Sequence, residues 1–249
     1  MKSSDLALSE SLAILLMGPP GGGKTTFMLQ FPGLYVLNCD RNLAGPVRYL
    51  KSINKYTPFK YDTISQYEED CTDVFGTHKV GDMVDIKFGW ARLRALAQAA
   101  IKDPIIQTIG LDTLTWCDNA LYAHSCRVQG LKELEGFNWA PYKRELHAFL
   151  AECKAAGKIL IVNCHEKIEY DKKGNVEAYV PSISTGISAY FGYYFSDIWR
   201  CTLVDQGGTR GLKAIVTTHP TAVSQLKNSI LCGATLEANY EAVEKYLKK

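Results

Sequence analysis

One glycine-rich run limits what this chain can fold into more than any other feature. It fits the pattern G-x-x-x-x-G-K-[ST] and consists of Gly18, Pro19, Pro20, Gly21, Gly22, Gly23, Lys24, Thr25 and Thr26. An apolar run at 12–17 precedes it and indicates a short buried strand, and residues 25–31 indicate the start of a helix. A strand, a glycine-rich turn and a helix in this order form the context that a phosphate-binding loop requires.

The residue types of this loop suit a nucleoside triphosphate bound with Mg²⁺. Glycines allow successive backbone N–H groups to point at phosphate oxygens, and the N-terminus of the following helix adds positive potential. In such a loop Lys24 reaches the β- and γ-phosphates, Thr25 offers its hydroxyl to Mg²⁺, and Thr26 hydrogen-bonds the α-phosphate. The sequence therefore predicts ATP and Mg²⁺ as ligands.

Length and composition predict a single α/β domain over residues 1–249. The chain has 47% hydrophobic and 22% charged residues, and the irregular segment 41–88 predicts an insertion at the edge of the sheet. No apolar run approaches the roughly 18 residues of a membrane span, and we expect no secretion leader. The eight cysteines include no C-x-x-C pair, which favours reduced thiols in a cytoplasmic protein over zinc sites or disulfides.

Three further apolar runs each end in a polar side chain. Asp40 follows the run that begins at residue 34, Asp112 the run after Pro104, and His165 the run that begins at residue 158. Because the carboxyl ends of parallel strands line the ligand site, we expect these side chains near the phosphates, with Asp112 holding Mg²⁺ beside Thr25. The alternatives are a turn aspartate for Asp40 and an ordinary structural histidine for His165.

The rest of the pattern predicts helices and hairpins. Helical spacing of apolar residues indicates helices over 89–102, 114–128 and 139–156. Alternation around a Lys-Gly-Asn turn indicates a hairpin within 166–179, and a second hairpin is expected between 197 and 218. The last predicted element is a helix over 236–249.

This order of elements resembles the core of RecA/RadA-type ATPases over residues 10–230. The resemblance rests on the phosphate loop, the strands that end in Asp40, Asp112 and His165, and the hairpin. It implies a RecA-like P-loop core with a mostly parallel central sheet flanked by helices and a C-terminal β-hairpin. It also implies that Asp40 is the acid that activates water, where Glu is commoner, and that His165 couples the γ-phosphate to the following loop.

Within that superfamily the chain is most similar to phage-encoded RecA-like ATPases of the Sak type. The short chain, His165 and the Pro-Ser-Ile-Ser-Thr-Gly run at 181–186 carry this resemblance. It implies a Mg²⁺-dependent ATPase, stimulated by DNA, that acts in phage recombination or single-strand annealing. The implied partners are single-stranded DNA, further copies of the chain in a homo-oligomer, and a single-strand DNA-binding protein, all in the cytoplasm of a bacterial host.

The same resemblance assigns basic residues to a neighbouring active site. RecA-type sites are completed by cations from the adjacent subunit. The candidates here are Arg210, Lys213 and Lys227.

DNA contacts are expected from two loops, at 129–138 and 166–195. A net charge of +2 does not itself imply a nucleic-acid partner, so this role depends on local basic segments. The lysines expected on DNA phosphates are Lys132, Lys167, Lys172 and Lys173.

Two other functions fit the same phosphate loop. One is a nucleotide-dependent assembly switch with little turnover, which the short Asp40 side chain slightly favours. The other is a small-molecule or nucleotide kinase. Such kinases usually carry an arginine-rich lid, and the presence of only Arg127 and Arg144 in that region argues against one. An AAA+ protein is disfavoured because Thr113 rather than Glu follows Asp112 and because we expect no C-terminal helical lid.

Overall fold

The fold is described from a computed structural model. It covers residues 12–64, 77–80, 83–86, 89–130, 137–184, 191–205 and 212–247. Within these ranges no helix is long and apolar enough to pass through a membrane.

The strands of the described residues form a main sheet and a separate hairpin. They are β1 (Ala13–Gly18), β2 (Leu34–Asn38), β3 (Lys60–Thr63), β4 (Thr77–Val80), β5 (Met83–Ile86), β6 (Thr108–Asp112), β7 (Ile159–Tyr170), β8 (Val176–Pro181), β9 (Asp197–Asp205), β10 (Leu212–Thr217) and β11 (Thr235–Glu237). The helices are α1 (Lys24–Met28), α2 (Ala44–Ser52), α3 (Gly89–Lys102), α4 (Leu114–Val128), α5 (Trp139–Ala155), α6 (Phe191–Tyr194) and α7 (Tyr240–Leu247).

The main sheet has the strand order β11-β10-β9-β1-β7-β6-β2-β3, with β8 paired to the outer part of β7. From β9 to β3 every pairing is parallel, whereas β10, β11 and β8 are antiparallel. The predicted fold class is therefore confirmed: a mostly parallel central sheet flanked by helices, with antiparallel hairpin strands towards the C-terminus. The parallel direction brings the carboxyl ends of β1, β2 and β6 to one edge, beside His165 in the middle of β7.

Two apolar layers cover the faces of this sheet. Side chains alternate along β1, so Leu15 packs on the layer of α3, α4 and α5, while Leu16 packs on the layer of α1, α2 and α7. All six residues of β1 are buried, as expected for a central parallel strand covered on both faces. This packing makes β1 a rigid base for the glycine-rich loop that follows it.

Segment 41–88 contributes regular elements at one edge of the sheet. Helix α2 leads back to β3, which pairs in parallel with β2 and is the edge strand next to it. Strands β4 and β5 form a separate two-stranded hairpin.

The C-terminal helix is shorter than the sequence predicts. Leu236 is buried and pairs with Val216, so residues 235–237 extend the sheet instead of starting a helix. The Asn239 side chain accepts a hydrogen bond from the backbone N–H of Ala242 at 2.8 Å. Asn239 therefore caps the helix, which begins at Tyr240.

Candidate nucleotide site

The glycine-rich loop connects β1 to α1 with almost no spare space. A Cβ atom on Gly18 would lie 2.2 Å from the carbonyl oxygen of Cys201 in β9. Gly23 has a φ of 95°, and a Cβ there would lie 2.8 Å from the Cβ of Ala214 in β10. The Cys201 thiol donates to the Gly22 carbonyl at 3.0 Å. The loop therefore packs directly against β9 and β10. A side chain at Gly18 or Gly23 would clash with these strands.

Lys24 lies buried at the centre of the loop. Its Nζ donates to the carbonyl oxygens of Gly18 and Pro19, both at 2.8 Å, and these use two of its three N–H donors. Burial lowers the pKa of Lys24, although nearby acidic groups and thiols oppose that effect. The two hydrogen bonds hold the Lys24 Nζ against the loop, where a phosphate-binding loop places its lysine.

Asp112 ends β6 beside the loop and is only 1% exposed. Its Oδ2 accepts from the Thr25 hydroxyl at 2.8 Å and its Oδ1 from the Asn163 side-chain amide at 3.0 Å. Burial raises the pKa of Asp112, and these two hydrogen bonds act in the opposite direction. A hydroxyl and a carboxylate oxygen at this separation are the kinds of ligand that Mg²⁺ prefers, so these residues fit a bound Mg²⁺.

Asn163 was not among the predicted site residues. It lies opposite Asp112 in the pairing of β6 with β7. The sequence does contain a signal for it. Asn163 is a polar residue within an otherwise apolar run, two positions before His165.

Asp40 lies at the same edge but is more open, with 28% of its side chain exposed. Its Oδ2 lies 3.2 Å from His165 Nε2, and its Oδ1 accepts from the Thr113 hydroxyl at 3.4 Å. The backbone N–H groups of Cys39 and Asp40 both donate to the Asp112 carbonyl. The structure therefore brings together the three predicted strand-end residues Asp40, Asp112 and His165.

These side chains open onto a cleft of about 360 Å³. The loop from Pro20 to Thr26 lines one side, and Asp40, Asp112, Thr113 and His165 line the other. Asn42, which precedes α2, and Gly45, Pro46 and Tyr49 of α2 line the remaining side of the cleft. The sequence analysis assigned no role to these four residues, because their segment shows no recognisable motif.

Strand β7 continues from His165 directly into the β7–β8 hairpin. Lys167 lies on this hairpin and pairs with Glu169, with Nζ and Oε1 3.3 Å apart. Lys172 and Lys173 are exposed in the turn. The predicted DNA contact Lys132 lies outside the described residues.

An ion pair anchors the hairpin where it leaves the sheet. Arg200 in β9 makes two hydrogen bonds of 2.8 Å to the carboxylate of Glu166, which is 5% exposed. The guanidinium also lies 3.7 Å from the ring centroid of Tyr179 in β8. The anchor joins residues distant in sequence, which is why the sequence analysis did not find it.

Two of the predicted trans cations have partners within the same chain. Lys213 forms an ion pair with Glu237. Lys227 Nζ donates to the carbonyls of Gly192 and Phe195, at 3.0 and 3.1 Å. The third candidate, Arg210, lies outside the described residues.

Comparison with known proteins adds a family to this geometry. Residues 10–228 match the model of a family described as an AAA domain. The chain belongs to that family. The sequence analysis disfavoured AAA+ proteins, and the family description corrects that expectation. A single residue type, Thr113 after Asp112, was too weak a criterion to set a family aside.

Among solved structures, the flagellar accessory protein FlaH from Methanocaldococcus jannaschii matches with a TM-score of 0.46 and 11% sequence identity. The match covers 94% of this chain and 89% of that chain. No curated protein matches the sequence. The match to the AAA-domain family, together with the glycine-rich loop on a mostly parallel sheet, identifies a P-loop ATPase core.

Proposed function

We propose that this chain hydrolyses ATP in a Mg²⁺-dependent reaction and acts on single-stranded DNA in phage recombination or annealing. The observation that carries the proposal is the 3.2 Å contact between Asp40 Oδ2 and His165 Nε2. Asp40 lines the cleft, and His165 belongs to a strand that runs on to Tyr170 in the exposed hairpin. One side chain therefore links the chemistry of the cleft to a surface suited to DNA.

Each residue of the cleft has a separate task in this proposal. Lys24 exchanges its two backbone carbonyl partners for oxygens of the β- and γ-phosphates. Thr25 and Asp112 would hold Mg²⁺ through their side-chain oxygens, and the ion would supply positive charge beside the phosphates. Asp40 orients the attacking water and accepts its proton, and His165 fixes the Asp40 carboxylate.

The hairpin offers both kinds of contact that single-stranded DNA uses. Lys167, Lys172 and Lys173 provide positive charge for phosphates. Tyr170 is 59% exposed and gives an aromatic face on which a base can stack. The ion pair of Glu166 with Arg200 holds this hairpin to the sheet. A displacement of the hairpin by DNA would therefore also move His165, the residue before Glu166.

The proposal includes a homo-oligomer in which a neighbouring subunit completes each site. Lys213 and Lys227 would first have to leave their partners within the chain. A single-strand DNA-binding protein is the proposed further partner, and the cytoplasm of a bacterial host is the proposed location.

The test is the steady-state ATPase rate with and without an oligo(dT) strand at two salt concentrations. We expect stimulation by DNA that fades at the higher salt, because cations on phosphates release counterions. The double variant K172A/K173A should lose much of the stimulation, whereas K143A/R144A, a matched pair on α5, should keep it. A rate indifferent to DNA in the wild type would contradict the DNA role and favour the nucleotide-dependent assembly switch.

A further inference from the structure

The segment between Asp40 and the edge strand β3 is strongly cationic. From Arg41 to Tyr61 the sequence contains five Lys or Arg residues and no Asp or Glu. The whole chain has a net charge of only +2, so this segment departs sharply from the average. Its function was left unassigned by the sequence analysis.

Three of these five cations are available for a partner. Lys55 pairs with Glu241 at 3.1 Å, and Lys60 pairs with Asp103 at 3.5 Å. Arg41, Arg48 and Lys51 are exposed and form no ion pair with any described residue. Arg48 and Lys51 are three residues apart on α2, so they share one face of the helix.

Exposed aromatic rings continue directly from these cations. Lys51 Nζ lies 4.9 Å from the ring centroid of Tyr56. The ring of Tyr56 contacts Phe59, and Phe59 contacts Tyr61, with centroid distances of 6.3 and 5.9 Å. Tyr56 is 36% exposed and Tyr61 is 57% exposed. Cations interleaved with exposed rings match the needs of a strand with phosphates and unpaired bases.

The position of the segment places it beside the proposed hydrolytic site. Arg41 directly follows Asp40, and Glu166 directly follows His165, whose side chain touches Asp40. The cationic segment and the hairpin therefore start from the two residues of one contact. Arg41, Arg48 and Lys51 do not line the nucleotide cleft. ATP binding therefore gives their charges no role.

We propose that Arg41, Arg48, Lys51, Tyr56 and Tyr61, here named the α2 surface, bind single-stranded nucleic acid. The cations contact phosphates, and the tyrosines stack on bases. An acidic protein partner would use the cations alone and would leave the aromatic series without a role. The inference rests on the proposed DNA function and adds a second DNA contact to the hairpin.

The test is the binding of fluorescein-labelled oligo(dT), measured by fluorescence anisotropy over a range of salt concentrations. The double variant R48A/K51A is compared with wild type and with K143A/R144A, which also removes one Arg and one Lys from a helix surface. Loss of two phosphate contacts should weaken binding roughly tenfold at low salt and reduce the salt slope by about 1.4. The control should bind as the wild type does, and thermal unfolding confirms that both variants are folded.

Three results overturn the inference. Equal affinity of R48A/K51A and wild type means that the α2 surface does not hold DNA, while the proposed function survives. The same conclusion follows if R48A/K51A changes only ATP affinity or only sedimentation, which would assign the charges to nucleotide or to a second copy. If the wild type binds no oligo(dT), both the inference and the DNA role fail.

Discussion

Asp112 and Asp40 lie at the ends of adjacent strands, yet their surroundings differ sharply. Asp112 is 1% exposed and accepts a hydrogen bond on each oxygen, from Thr25 and from Asn163. The Asp40 side chain is 28% exposed and is bound by His165 and, more weakly, by Thr113. A buried carboxylate with fixed hydrogen-bond donors, such as Asp112, is suited to hold a cation. A carboxylate that solvent can reach, such as Asp40, is suited to act on water.

We expect the largest effect from the substitution D112N. An amide keeps the size of the side chain but removes the negative charge that would hold Mg²⁺ beside Thr25. Mg²⁺-dependent turnover should fall by about 10³-fold, in line with loss of a group that stabilises developing charge. ATP affinity should also stop depending on Mg²⁺, as measured by titration with a fluorescent ATP analogue.

The same variant should be more stable than the wild type. Burial raises the pKa of Asp112, so folding favours its protonated form, and stability falls as pH rises from the ordinary Asp range through the raised pKa. At neutral pH, without nucleotide, D112N should unfold about 2 °C or more above the wild type. A variant that is both active and no more stable would contradict the metal-binding role of Asp112.

The second test is D40N, which should separate hydrolysis from binding. The amide cannot accept a proton from water, and general bases contribute about 10²–10⁴-fold, so turnover should fall by about 10²-fold. Affinity for Mg²⁺-ATP should stay near that of the wild type, and so should the thermal midpoint, because the side chain is partly exposed. Loss of nucleotide binding in D40N would instead make Asp40 a structural residue.

The smallest expected effect comes from Cys201, which lies under the loop instead of at the strand ends. In C201A the Gly22 carbonyl loses its thiol donor, and ATP binding should weaken about two- to fivefold, as expected for one weak hydrogen bond. C201S keeps a donor and should restore the affinity. If C201A binds ATP as tightly as C201S does, the hydrogen bond from the thiol does not contribute to ATP binding.

The sequence predicted what depends on contiguous motifs and on regular spacing. The phosphate loop is one unbroken run, and helices α3, α4 and α5 follow from apolar residues at helical spacing. The meeting of Asp40, Asp112 and His165 could be expected because parallel strands end at one edge. The C-terminal helix was predicted too long, since the pairing of Leu236 with Val216 is not visible in local propensity.

Other features could not be predicted because they depend on partners distant in sequence. The Cys201 thiol reaches Gly22 across 179 positions, and Arg200 reaches Glu166 across 34 positions. Neither contact leaves a local pattern. The cationic run from Arg41 to Tyr61 was visible in the sequence, but its meaning depends on the fold, which brings its first residue next to the contact of Asp40 with His165.

ATP hydrolysis by the purified chain, with Mg²⁺ and with EDTA, tests whether the glycine-rich loop is the hydrolytic site. It is measured beside K24A and beside K143A, which removes a lysine from α5 away from the cleft. We predict turnover by the wild type and by K143A that requires Mg²⁺, and a rate at background for K24A, because Lys24 is the one Lys or Arg among the described residues that line the cleft. Turnover by K24A near the wild-type rate would contradict the assignment of the glycine-rich loop as the hydrolytic site.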